Sequence, residues 1–367
     1  MQFGDVRPGK DFVVCERLGK GRWKEVYRAI QKRGLRDVAL LRFIKPPLVS
    51  DLMNELRLLE VDRPVNVAEL YRVFEGDDKS IYLVEELMYR PLDKIAPLGN
   101  VERFIEIACG LLNGLWALHS RDLIHRDLKL ENCGMDFSER AKLFDLGSVT
   151  SADSTCVGSV LTRSPELFVE DAGSTKASDV WALGATLYAL RTGTYPFVTA
   201  HEWRNRPAAG TKRATERSQF EATVRDRALR VDAEDNLFEA IEDAFPGPVC
   251  QMMRGLLCFA PGSRPTAEVA REQWLNLAHD WLGVADKTEK DQVDNGAAIL
   301  ELEQFLRGVL DGQVGLSPRQ WTMTVDAVER IRQTTGRSAV SKLDVLLAEV
   351  QAQRSNEGET IYAEDMR

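Results

Sequence analysis

The run His125-Arg126-Asp127-Leu128-Lys129-Leu130-Glu131-Asn132, followed thirteen positions after Asn132 by Asp145-Leu146-Gly147, gathers chemically useful side chains into one short stretch. Asp127 is a carboxylate that can orient a hydroxyl or accept its proton. Asn132 and Asp145 carry hard oxygen donors suited to Mg²⁺. Lys129 adds a cation two residues beyond Asp127. A second constellation lies near the N-terminus, where Gly19-Lys20-Gly21-Arg22-Trp23-Lys24-Glu25-Val26 precedes Val38-Ala39-Leu40-Leu41.

Together these segments resemble the eukaryotic-type protein kinase family, matching its catalytic loop and metal-binding motif at the usual spacing. A lone aspartate is ordinarily a surface carboxylate, but three such groups at this spacing are not. The resemblance implies transfer of the ATP γ-phosphoryl group, where charge on the moving group must be positioned and neutralised. Asp127 would then handle the substrate hydroxyl, Asn132 and Asp145 would hold Mg²⁺, and Lys129 would stabilise the γ-phosphate, as in Ser/Thr kinases. Gly19, Gly21, Val26 and Ala39 would contact the nucleotide, with hinge residues Glu86, Leu87 and Met88. Further motifs extend the likeness over residues 11–282. Ser164-Pro165-Glu166 stands for Ala-Pro-Glu, and Arg264 matches the arginine that pairs with that glutamate. Asp179-Val180-Trp181-Ala182-Leu183-Gly184 matches the helix that supports the catalytic loop. These elements favour protein substrates bearing Ser or Thr.

One departure stands out. The family needs a lysine at position 41, and this chain has leucine. Side chains alternate along a strand, so Ala39 and Leu41 share the inward face and Arg42 points away. Lys45 has the right parity but lies about 13 Å further along. Lys24, at the third glycine position of the loop, shares the face of Val26. Its stem can carry an ammonium to the phosphates, with Glu55 of Glu55-x-x-x-Leu59 as counter-charge. This arrangement resembles the with-no-lysine (WNK) kinases. Leu146 is also WNK-like, but Ser148 replaces the leucine of that family's chloride site and argues against chloride control.

Gly134 stands where a bulky residue usually floors the adenine site, with Met135 as the expected filler. Glu85 occupies the gatekeeper position, where it would meet a displaced lysine or water. Leu41, Gly134 and Glu85 support the alternative of a pseudokinase that binds rather than transfers. Against it, the packing column Leu59, Leu70, His125 and Leu146 is chemically complete. Gly158-Ser159 is expected to contact the catalytic loop. Thr155, with Ser154 adjacent, aligns with the activating phosphosite, and Arg126 would pair with its phosphate.

The elements that must position these groups read as α+β, a bilobal protein-kinase fold. Three strands are expected in 12–45, a helix over 50–60, and strands at 70–75 and 81–85, giving a β-rich lobe over 11–88. A helical lobe over 89–282 follows, opening with the amphipathic stripe Ile105, Ala108, Leu112, Leu115 and Leu118. Residues 283–353 read as three further helices. Their stripes include Leu302, Leu306, Val309 and Leu310, then Trp321, Val325, Val328 and Ile331, then Leu343, Leu347 and Val350. They pack on each other or on the preceding lobe. Residues 354–367 read as a disordered tail. Within 200–230, eight Lys or Arg face four acids, and the basic 204–230 segment is a candidate docking surface for an acidic partner.

Bulk properties exclude more than they identify. The 367 residues are 44% hydrophobic and 29% charged, with a net charge of −9. That charge argues against general nucleic-acid binding. Six widely spread cysteines without C-x-x-C spacing read as small buried residues in a reducing compartment. No signal peptide or membrane span is apparent, so a cytoplasmic location is expected.

Overall fold

The computed structural model describes residues 8–21, 24–33, 35–44, 64–150, 158–169, 173–206, 214–282 and scattered positions from 302 to 352. They form two compact units. One draws its described residues from Met1–Pro46, Tyr71–Leu87 and Val284–Arg367, the other from Pro47–Leu70 and Met88–Gly283.

The first unit is built on strands β1 (Phe12–Lys20), β2 (Lys24–Gln31), β3 (Arg36–Phe43), β4 (Leu70–Glu75) and β5 (Ile81–Glu86), in the order β1-β2-β3-β5-β4. All five expected strands are present. The period-two pattern sorts their side chains. Tyr27, Ala29, Val38, Leu40, Tyr82 and Val84 bury one face together with Phe12. Phe74 stacks between Phe12 and Tyr82 there, at 5.4 and 5.3 Å. The opposite face carries the candidate functional residues. The helix expected over 50–60 lies outside the described residues.

From the C-terminal stripes, Leu306, Val309, Val328, Leu343 and Val350 pack into one cluster, so the stripes do bury one another; Leu346, outside the expected stripe, joins them and Leu347 is only partly buried. Val325 does not join them: it is exposed, and Thr324 is buried in its place.

In the second unit α1 (Val101–His119) buries all five residues of the expected stripe. Asn100 caps it by accepting from the Arg103 N–H at 2.6 Å. Helix α2 (Lys176–Thr192) starts with a reciprocal Thr175–Ser178 capping box and stops at Gly193, whose φ of 79° suits glycine. It is buried nearly all round, as a central helix must be. Around these lie α3 (Ala200–Arg204), α4 (Ala214–Ala228), α5 (Ala233–Ala244), α6 (Gly247–Leu256) and α7 (Ala267–Leu282). The short strands β6 (Arg90–Pro91), β7 (Cys133–Met135) and β8 (Ala141–Leu143) make a second antiparallel sheet that carries the catalytic loop. At two or three residues each, these strands are too short to show a period. The five described cysteines are free thiols, three of them buried.

Candidate active site

Asp179, 1% exposed on α2, anchors the loop that carries Asp127. Its Oδ2 accepts the His125 N–H at 2.6 Å and its Oδ1 accepts that of Arg126 at 2.9 Å. The His119 ring at the end of α1 meets the same Oδ2 at 3.0 Å. Arg126 is held at φ 69°, a region unfavourable for a side-chain-bearing residue, and these bonds sustain it. Burial pushes the His125 imidazole below its usual pKa despite the carboxylates of Asp179, Asp127 and Asp145 around it. Buried Tyr195 fixes the other side of the loop by accepting the Leu130 N–H at 3.0 Å. Sequence reasoning missed Tyr195, whose one visible signal is the Tyr195-Pro196-Phe197 run after the α2 cap.

The two oxygens of Asp127 differ. Oδ2 accepts from Lys129 Nζ at 2.6 Å and from Asn132 Nδ2 at 2.9 Å. Oδ1 has no donor among the described residues. Gly158 lies beside it. A side chain there would put Cβ 2.2 Å from the Arg126 carbonyl oxygen and 3.4 Å from Asp127 Oδ1. With φ at 95°, that position requires glycine twice over, and Gly158 contacts the catalytic loop as expected. Asn132 spends its amide nitrogen on Asp127, the second bond reaching the backbone oxygen at 2.7 Å, which leaves its carbonyl oxygen as a ligand. Phe144, the neighbour of Asp145, donates its N–H to the Asn132 backbone oxygen at 2.9 Å, which ties the backbones of the two metal-ligand candidates together and leaves the Asn132 side-chain oxygen unused by this bond. Asp145 follows in the left-handed region at φ 57°. Among the described residues no three His, Cys, Asp or Glu converge on a metal position. Two oxygen ligands without a full protein cage suit Mg²⁺, which completes its shell with water and phosphate oxygens.

On the sheet, register settles which residues share a face. Lys24 pairs with Phe43, Val26 with Leu41, and Leu41 with Leu83, so Lys24, Val26, Ala39 and Leu41 face the same way. The Lys24 ammonium lies 5.2 Å from the Phe43 ring centroid, within cation–π range. Arg42 faces away, as expected. It pairs with Glu25 at 3.5 Å and Asp78 at 3.4 Å, and so is committed elsewhere. The loop closes with the Gly21 N–H donating to the Lys24 carbonyl at 2.8 Å. Among the described residues no atom lies within 4 Å of where a Gly19 Cβ would stand, which leaves room for a ligand against that backbone. Glu85 pairs with Ala39, four residues along β3 from the partner of Lys24. At strand rise that separates their backbones by about 13 Å. Glu86 and Met88 are half-buried. Glu55, Leu59, Lys45, Ser154 and Thr155 lie outside the described residues.

Met135 does not fill the space at Gly134, contrary to expectation. Alternation along β7 puts Met135 on the face of Cys133, and both point into the helical core. A Cβ on Gly134 would instead meet Met88 Cγ at 3.0 Å and Phe144 Cε1 at 3.1 Å. Side chains from elsewhere in the chain fill that face.

The Glu166–Arg264 pair forms as expected, with two parallel bonds of 2.7 Å. The Arg264 side chain is fully buried and also donates to the carbonyls of Cys258, Ala177 and Phe259. Burial alone would raise the Glu166 carboxyl. The Arg264 hydrogen bonds and charge outweigh it and hold the group below its usual range.

Residues 12–275 match the protein kinase domain family. The chain is 31% identical over 212 residues to mitogen-activated protein kinase 15 of Caenorhabditis elegans, covering 52% of this chain and 45% of that protein. It is 30% identical over 213 residues to serine/threonine-protein kinase PKH3 of Eremothecium gossypii, covering 51% and 29%. With mitogen-activated protein kinase pmk-1 of Caenorhabditis elegans it is 26% identical over 330 residues, covering 81% and 87%. The chain thus spans less than half the length of the first two. No helix among the described residues is long and apolar enough to cross a membrane.

Proposed function

This chain belongs to the protein kinase family, and from that premise we propose that it transfers the γ-phosphoryl group of ATP to serine or threonine hydroxyls of proteins. Lys24 supplies the cation that Leu41 lacks. The observation that carries this reading is the asymmetry of Asp127: Oδ2 is held by Lys129 and Asn132, while Oδ1 has no donor among the described residues. Asp127 Oδ1 takes the hydrogen bond of the acceptor hydroxyl and then its proton. The hydroxyl oxygen bonds to the γ-phosphorus as the bond to the β-bridging oxygen breaks, leaving ADP. Lys129 places its ammonium beside the acceptor. Asn132 and Asp145 would hold Mg²⁺, whose charge offsets that of the phosphate oxygens.

The relocated lysine is supported by the shared face of Lys24, Val26 and Leu41, by the Phe43 ring beside the ammonium, and by the ion pairs that occupy Arg42. It resembles the with-no-lysine arrangement. Thr155, with Ser154, is the proposed regulatory phosphosite on its spacing from Gly158, and loss of autophosphorylation in Thr155→Ala tests it.

A phosphotransfer assay on protein substrates tests the main reading. Lys24→Met is expected to lower kcat about 10²–10³-fold with the fold intact, and adding Leu41→Lys to restore part of it. Full activity in Lys24→Met rules out the relocation. Nucleotide binding without transfer to any substrate makes the chain a pseudokinase.

A further inference from the structure

A cavity of about 1100 Å³ opens beside the catalytic carboxylate and is lined by Asp127, Lys129, Arg163, Arg206, Arg217 and Arg225, among others. The arginines come from the segment after Gly158, the residues just past α3, and α4. Aromatic rings and backbone carbonyls, rather than acids, hold the first two, Arg163 reaching the Gly158 carbonyl at 3.5 Å. The Arg163 guanidinium lies 5.5 Å from the Phe168 ring centroid, and its Nε–H is buried with no acceptor among the described residues. Arg206 stacks on Trp203 at 3.4 Å and donates to the Trp203 carbonyl at 2.7 Å.

The acids on this wall are largely spoken for. Asp127 pairs with Lys129 at 2.6 Å and Glu221 with Arg217 at 2.8 Å. Glu131 accepts from the Tyr195 hydroxyl at 3.3 Å. Arg225 has Asp226 at 3.1 Å, an exposed neighbour outside the lining. Arg163 and Arg206 have no carboxylate among the described residues, so the wall beside Asp127 carries uncompensated positive charge.

Arg227 of the same 204–230 segment supports this wall from outside the lining. Arg227 makes two bonds to Glu202, at 2.7 and 2.8 Å, joining α3 to α4. The Arg227 hydrogen bond, with the Thr199 N–H next, lowers the Glu202 carboxyl to about 2. The clamp therefore persists over the whole working pH range and keeps Trp203 and Arg206 against α4.

The geometry points to a substrate subsite for acidic peptides: Arg163 and Arg206 recognise Asp or Glu side chains flanking the acceptor hydroxyl. This rests on the proposed transfer reaction and names the substrate class it uses.

Two readouts on the full chain separate the claims. Peptides with one Ser acceptor flanked by Glu, Ala or Lys are compared by kcat/KM and, independently, by fluorescence anisotropy of the labelled peptide. The Glu peptide is expected to exceed the Ala peptide about tenfold in both at low salt, the effect of two exposed ion pairs, and to lose this lead as salt rises. The double variant Arg163→Gln/Arg206→Gln brings the ratio toward one, and Arg163→Lys/Arg206→Lys keeps most of it. Acid-selective binding without transfer supports the subsite while removing the kinase reading. Equal binding and transfer of Glu and Lys peptides, or an acidic preference that survives both Gln substitutions, overturns the subsite.

Discussion

Asp179 Oδ2 accepts the backbone N–H of His125 at 2.6 Å, so a buried carboxylate on the central helix sets the backbone from which Asp127 projects. The adjacent Arg126 N–H and the His119 ring complete its partners. Asp179→Asn keeps the volume but turns one acceptor into an amide that faces N–H donors. The loss of charge-assisted bonds costs about 1.5–3 kcal/mol. Thermal unfolding should move to lower temperature, and kcat should fall at least tenfold while the KM for ATP changes little.

Gly134 and Met88 form a coupled pair. Gly134→Leu should destabilise the second unit by about 1–3 kcal/mol, because its side chain would overlap Met88 and Phe144. Adding Met88→Ala should recover part of that loss. Chemical denaturation of the four proteins in the cycle measures the coupling, and strict additivity would show that the two residues do not share the space.

The Glu166–Arg264 pair predicts a pH dependence. Its carboxyl is depressed in the folded protein, so the stability it contributes is fully present above the ordinary glutamate value of about 4.3. That contribution is lost as pH falls through the lower folded value. Glu166→Gln should cost about 3 kcal/mol near neutral pH by leaving the buried guanidinium half-paired. The same variant should flatten the fall in stability below about pH 4.3. Unfolding curves at several pH values compare the two slopes, and parallel curves would remove Glu166 as the source.

Lys129 Nζ bonds Asp127 Oδ2 at 2.6 Å, which leaves Oδ1 as the proposed proton acceptor. Asp127→Asn should abolish phosphotransfer with little change in melting temperature. Lys129→Met should lower kcat about 10²–10³-fold and leave nucleotide binding close to normal. Steady-state kinetics with binding titrations checks both, and a large loss of nucleotide affinity in Lys129→Met would contradict the assigned role.

The residues of the catalytic loop, the strand parity that puts Lys24 with Leu41, and the buried stripe of α1 were all legible in the chain. Each depends on neighbours a few positions apart, and the helix and strand periods carry that information directly. Glu166–Arg264 was legible only through the family resemblance, since nothing local links residues so far apart.

What fills the space at Gly134, what occupies Arg42, and which arginines meet beside Asp127 depended on the tertiary structure. Met88, Phe144, Asp78, Arg163 and Arg206 reach those places from distant segments, and a side chain's free volume and charge balance are set by whatever packs there. The sequence by itself determined that two carboxylates and an amide stand at Asp127, Asp145 and Asn132 with this spacing. Only the fold decided which oxygen of Asp127 is left without a donor among the described residues, and that positive charge stands beside it.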